Sequence, residues 1–260
     1  MVEVAQGFFV FLFGICIGSF LNVCIYRMGR EKSVVRPASH CPACQHPIRW
    51  YDNIPLISYL LLKGRCRDCR AGIPFRYFLV EFLTGVLFVF LLGRFGLSPV
   101  FFVFAAFVSG LIVATFVDFD FRIIPDEISV GGAVAGLLAS FIFPQIQGAY
   151  SHLAGLRESF FGLVAGGGIL WVLGCAGDFI FKKESMGGGD IKLLAMIGAF
   201  MGWKAALLAL PLASLFGAVV GIVIKLKTKE SVIAFGPYLS IAAIVNIFWA
   251  DKILAFFFCV

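Results

Sequence analysis

The sequence predicts an all-α integral membrane protein, with about eight transmembrane helices and a cytoplasmic zinc-ribbon-like loop between helices 1 and 2. Three observations carry that expectation. Only 14% of residues are charged while 61% are hydrophobic, against about 25% charged in soluble domains. The apolar residues fall into runs close to the ~20 that a hydrocarbon core requires at helical rise. A single long polar interruption, 27–76, carries two Cys-x-x-Cys pairs.

Taken in order, the runs are 8–25, 77–93, 97–117, 128–144, 159–181, 191–202, 205–224 and 232–250. The run 191–202 is short, and charge placement decides whether it crosses. With eight crossings and the N-terminus outside, the inside face receives the ten Lys and Arg of 27–76, with Arg122, the three of 182–192 and the three of 225–229. Arg94, Arg157, Lys204 and Lys252 remain outside. Removing the crossing at 191–202 would move Lys225, Lys227 and Lys229 outward, so the positive-inside bias favours eight. The same topology puts the 27–76 loop, Asp118 and Asp190 on the cytoplasmic side. No basic n-region precedes the first run and no A-x-A-like site follows it, so that run reads as a retained helix. The domain division expected is 1–26 as the first helix, 27–76 as the loop and 77–260 as the polytopic membrane domain. A net charge of +6 calls for no nucleic acid, because basic cytoplasmic loops suit anionic lipid headgroups.

Within the loop, Cys41-Pro-Ala-Cys44 and Cys66-Arg-Asp-Cys69 form a C-x2-C-x21-C-x2-C pattern. Two thiolates on one tight turn supply half of a tetrahedral Zn²⁺ site, and a second such turn completes it. A redox pair or metal-free thiols are the alternatives. Structural disulfides are disfavoured in a reducing cytoplasm. His40 and His46 flank the first knuckle and read as solvated, since four cysteines suffice. Cys16, Cys24, Cys175 and Cys259 lie in or beside apolar runs, where Cys acts as a small apolar side chain.

Two carboxylates stand out. Asp118 ends the third run, and Asp190 opens the sixth after Met186-Gly187-Gly188-Gly189. An acid beside hydrocarbon is costly and is a functional-site candidate by default. Two acids that share one proton can activate water and polarise a carbonyl. Gly187–Gly189 are expected to permit positive φ and close backbone approach. Asp190 is expected at a helix N-terminus, where the dipole favours its anion. The turn lacks the Gly-Lys-Ser/Thr of a phosphate-binding Walker loop. An N-cap for Asp190 and a solvated helix end for Asp118 are the structural alternatives. Asp126 reads as the cap of the helix near 128, and Glu81 and Asp178 read as interfacial.

With these residues in place, the chain resembles the bacterial type IV prepilin peptidases, bifunctional leader peptidase/N-methyltransferases. The resemblance runs through Gly18-Ser19-Phe20-Leu21-Asn22-Val23 and Arg27, the four cysteines, Tyr51-Asp52-Asn53-Ile54-Pro55, and Ser58-Tyr59-Leu60. It continues through Arg76-Tyr77, Glu81, the segments 118–126 and 187–192, and Phe235-Gly236-Pro237-Tyr238-Leu239. Arg27-Met28-Gly29 departs from the Arg-Leu-Pro of many relatives. The resemblance implies catalytic aspartates at Asp118 and Asp190, a Gly-x-Gly-Asp active-site loop at Gly187, Gly189 and Asp190, and a methyl-transfer-linked glycine at Gly64. It also implies Cys41, Cys44, Cys66 and Cys69 as zinc ligands, S-adenosylmethionine as methyl donor, and prepilins and pseudopilins as substrates. The implied location is the bacterial inner membrane, multi-pass, with the active site facing the cytoplasm. Other readings are an intramembrane aspartyl protease of other substrates without methylation, and a zinc-bearing transporter relaying protons through the aspartates.

Overall fold

A computed structural model describes residues 2–182, 186–228 and 234–258. Lys183, Lys229 and Cys259, which enter the sequence reading, lie outside the described residues. The helices are α1 (Val2–Met28), α2 (Ile57–Leu61), α3 (Arg76–Phe95), α4 (Pro99–Phe121), α5 (Asp126–Ile142), α6 (His152–Phe181), α7 (Gly188–Thr228) and α8 (Gly236–Phe258). No named strand occurs among the described residues. Five helices, α1, α3, α4, α6 and α7, are long and apolar enough to cross a membrane, while α5 has 17 residues. The protein is therefore an all-α multi-pass membrane protein.

Two compact units divide the chain at Met1–Val113 and Ala114–Val260. The first holds α1, the cysteine loop and α3. Helix contact is the reason. A Cβ added at Gly14 would fall 2.7 Å from the Gly85 Cα, and one at Gly18 would fall 2.7 Å from the Glu81 Cα. Gly14 and Gly18 lie four residues apart on one face of α1, so the backbones of α1 and α3 touch without side chains between them. Small residues that allow such approach are a main source of packing energy where solvent provides no hydrophobic drive.

The second unit is organised around α7. A straight helix of 41 residues would be about 60 Å long, twice the hydrocarbon thickness. Gly202 interrupts it with φ 78° and ψ 172°, the place where the sequence separates the runs 191–202 and 205–224. A break leaves backbone carbonyls without helical partners, and in apolar surroundings they must be satisfied by the protein. Gln147 donates to the carbonyls of Ala199 (3.0 Å) and Phe200 (3.2 Å), and Ser159 donates to Ala199 (2.6 Å). Upstream, α6 packs on α7 through Gly162, whose added Cβ would collide with the Gly198 carbonyl.

Three sequence expectations are corrected. Helix α6 begins at His152, not near 159, because Ser151 caps it by accepting from the Ala154 N–H. Glu81 is buried and not interfacial, since its carboxylate accepts from the Leu56 N–H at 2.8 Å. Asp126 is not a cap: it is the first residue of α5, and its carboxylate pairs with Lys192 at 2.7 Å.

The Gln147 contacts predict a measurable cost. Replacing Gln147 with Leu removes donors from two carbonyls at the α7 break and should destabilise the protein by about 1–3 kcal/mol. A lowered thermal midpoint of the detergent-purified protein checks this, and an unchanged midpoint would count against the role given to Gln147.

Candidate active site and metal centre

The last turn of α4 carries Asp118. Arg122 ends the helix at φ 57°, with its N–H donating to the Asp118 carbonyl at 2.9 Å. The Asp118 side chain is 6% exposed, whereas Asp120 and Asp126 are exposed. Burial therefore separates Asp118 from its acidic neighbours. Its Oδ2 accepts from the backbone N–H of Gly236 at 3.0 Å. Gly236 is the first residue of α8, so the carboxylate meets an N–H that no helical carbonyl uses, at the positive end of a helix dipole. A Cβ at Gly236 would fall 2.7 Å from that same oxygen. Only glycine lets α8 come so near.

Asp190 is the third residue of α7 and half-buried, and its N–H donates to the Gly187 carbonyl at 3.1 Å. It stands at a helix N-terminus, as expected. The glycines before it behave differently from the expectation. Gly187, Gly188 and Gly189 do not have positive φ, and Gly188 and Gly189 already belong to the helix. Their service is proximity. A Cβ on Gly187 would fall 3.1 Å from Asp190 Oδ2, and one on Gly189 would fall 3.1 Å from the Ile124 Cβ. The Ile124 Cδ1 also approaches the Gly236 position at 3.0 Å. One isoleucine thus bridges the glycine that holds Asp118 and the glycine next to Asp190. Asp118 and Asp190 thus stand on helix ends that meet at Ile124.

Sequence reasoning placed Gly236 in a motif but gave it no task. Gly-Pro at the mouth of an apolar run was the available signal, since Pro suits a first helical turn and Gly a close approach.

In the other unit, Cys41, Cys44, Cys66 and Cys69 converge, with all four sulfurs within 4.8 Å of one another. The two knuckles repeat one geometry. The Gln45 N–H donates to the Cys41 carbonyl (2.8 Å) and the Arg70 N–H to the Cys66 carbonyl (3.1 Å), with both donor residues at φ 60°. The Cys41 N–H returns to His46 (3.0 Å) and the Cys66 N–H to Ala71 (2.8 Å). A hydrogen bond from the Cys44 backbone N–H favours the Cys41 thiolate, the form a metal requires. The neighbouring thiols push the Cys44 proton loss upward, as expected of a cluster that shares charge. The Cys41 and Cys69 sulfurs lie 3.8 Å apart, which matches the ~3.8 Å edge of a tetrahedron with Zn–S bonds of ~2.3 Å. The donor set therefore fits zinc. His40 and His46 stand outside the cluster.

Between the knuckles, Arg67 grips Asp52 through Nε (2.8 Å) and Nη2 (2.6 Å). That hydrogen bonding holds the Asp52 carboxyl below the usual range. Gly64 has φ 65°, and a Cβ there would lie 2.8 Å from the Tyr59 hydroxyl.

An acid pair at helix termini within an apolar array defines a class, a multi-pass helical membrane protein with a carboxylate dyad. Comparison narrows the class. The chain belongs to the type IV leader peptidase family: residues 102–222 match that family's model, and residues 12–95 match the bacterial peptidase A24 N-terminal domain. Relatives carry the name prepilin leader peptidase/N-methyltransferase. The Myxococcus xanthus protein is 42% identical over 223 residues, covering 86% of this chain and 64% of the relative. The chain thus spans just under two thirds of that relative. The Aeromonas salmonicida protein is 37% identical, covering 97% of this chain and 96% of the relative. For Pseudomonas aeruginosa the identity is 35%, with 93% and 90% covered. No solved structure matches the chain.

The four-thiol geometry predicts one zinc per chain in the purified protein by elemental analysis. Cys41→Ser combined with Cys44→Ser should lose it. A metal-free wild-type protein would contradict the assignment.

Proposed function

We propose that this chain removes the leader peptide of type IV prepilins and pseudopilins and then methylates the new N-terminus, with Asp118 and Asp190 as the cleaving acids. The observation that carries the reading is the buried Asp118 carboxylate, held by the α8 N-terminus beside Asp190. Neighbouring carboxylates resist double ionisation and share a proton as a pair. In that state the ionised member takes a proton from water while the water oxygen attacks the scissile carbonyl. The protonated member donates to the developing oxyanion. Collapse of the tetrahedral intermediate breaks the C–N bond as the proton gained from water passes to the leaving amine. The hydroxyl that reforms the carbonyl returns its proton to the other carboxylate, restoring the singly protonated pair.

The substrate suits a site at a membrane surface. A prepilin's basic leader lies at the headgroups and its apolar helix in the bilayer, so the junction sits at the interface. The positive-inside distribution supports a cytoplasmic-facing site in a bacterial inner membrane. S-adenosylmethionine supplies an electrophilic methyl group, whose transfer to a neutral amine converts the sulfonium to a thioether. Amino termini have pKa near 7.7–8.0, so a usable fraction is neutral at cytoplasmic pH. Zinc held by Cys41, Cys44, Cys66 and Cys69 would tie the loop together.

Asp118→Asn and Asp190→Asn should each abolish prepilin cleavage in a purified assay, while Asp126→Asn retains it within about twofold, its exposed ion pair being worth ~0–1 kcal/mol. Cleavage by either of the first two variants at the wild-type rate would remove that residue from the reaction. Methyl transfer is read by weighing the product. A mature pilin heavier by ~14 Da, one added CH2 on an amine of ordinary terminal pKa, is expected. An unshifted mass would leave the peptidase and remove the transferase.

A further inference from the structure

A cleft of about 240 Å³ opens in the first unit, between the ends of α1 and α3 and the cysteine loop, somewhat below the ~300 Å³ at which small-molecule sites begin. Its lining includes Asn22, Tyr26, Asp52, Tyr59, Tyr77 and Glu81. The reading above places neither aspartate here and uses the cysteines only to hold a metal, so the cleft has no assigned occupant.

Two polar groups in its lining are almost fully buried. Asn22 is 2% exposed; its amide N–H donates to the Tyr77 carbonyl at 3.0 Å, but its Oδ1 has no partner. A buried carbonyl oxygen without a donor costs about 1–3 kcal/mol, and a ligand can repay that. Glu81 is 8% exposed and accepts from the N–H of Leu56. Leu56 has φ 60° and ψ −49°, a strained conformation for a leucine that persists only where its surroundings impose it. The wall is completed by Tyr59, which Gly64 permits to stand where it does. Any side chain at Gly64 would push into the Tyr59 hydroxyl.

We propose that this cleft is the methyl-donor site, binding S-adenosylmethionine with Glu81 and the free Asn22 Oδ1 receiving its cationic sulfonium and ammonium half. The chemistry matches the lining. A sulfonium and an ammonium call for oxygen acceptors in a low-dielectric setting, and aromatic faces attract cations and stack on an adenine ring. The tyrosines supply those faces. Of the cleft's arginines, Arg27 is spent on the carbonyls of Ser33, Val34 and Pro37 and Arg67 on Asp52. Arg49, half-exposed beside Tyr51 and Asp68, is the one open to the donor's carboxylate. The assignment rests on the methyl-transfer reading above. It also gives Gly64 a physical part in that reading, as the residue that leaves room for Tyr59.

The test uses the full chain, zinc-loaded, in detergent. Equilibrium dialysis with radiolabelled S-adenosylmethionine is expected to show one site, weakened at least tenfold by Glu81→Gln and by Asn22→Leu with zinc content retained. Ultraviolet cross-linking of the same label to the wild-type chain, which does not depend on any variant folding, should mark peptides from residues 19–27, 52–62 or 77–81. Label found only within 114–260, or wild-type affinity in both variants, overturns the site while leaving methyl transfer standing. Displacement of the label by a basic leader peptide without adenosine would likewise overturn it, showing the cleft to be a leader groove. A wild-type chain that cleaves prepilin but neither binds the label nor adds a methyl group overturns the methyl-transfer reading and this site with it.

Discussion

Polar groups among these apolar helices need partners that lipid cannot supply, and much of the arrangement of both units follows from that constraint. Lipid hydrocarbon offers no hydrogen bonds, so an unpartnered N–H, carbonyl or carboxylate there costs several kcal/mol. The second unit meets the requirement by matching helix ends to polar side chains. The N–H at the start of α8 goes to the Asp118 carboxylate. The carbonyls freed by the break at Gly202 go to Gln147 and Ser159. A helix terminus and an acid are each expensive alone; placed together they satisfy one another and leave a charge at a defined point.

Close approach makes such matching possible. Glycine at 236 admits α8 to Asp118, and glycine at 189 admits Ile124 beside Asp190. The first unit uses the same device between α1 and α3. There the tight crossing at Gly14 and Gly18 brings α1 and Glu81 together at the base of a cleft. Rigid backbone contact positions charges better than long side chains would, because it leaves few rotamers to search.

Much of this was legible in the sequence, for identifiable reasons. Apolar runs of bilayer length and the C-x2-C pairs are local signals, so the helices and the thiol cluster could be read directly. The break in α7 was legible because Gly202 falls between two runs. The choice of Asp118 over Asp120 and Asp126 followed from family motifs; in the structure Asp118 is the buried one of the three. What escaped were facts of tertiary contact. Glu81 sits within a turn of a span end, which suggests water, yet a strained loop residue folds over it. Asp126 follows a proline at a helix start, which suggests a cap, yet Lys192 lies across from it. Of the two properties expected of the glycines at 187–189, close approach is present and positive φ is not. Gly236 had no task until α8 was seen against α4.

The central claim is that the α8 terminus holds Asp118 in its working position, and cleavage by the Gly236→Ala protein tests it most directly. One methyl group there would lie 2.7 Å from Asp118 Oδ2 and must displace the carboxylate or the helix. Misplacement of a reacting group by about 1 Å costs on the order of 100-fold in rate. The account predicts a loss of that size in the prepilin cleavage rate, with the variant still monodisperse and its unfolding midpoint little changed. A folded Gly236→Ala protein that cleaves at the wild-type rate would contradict it.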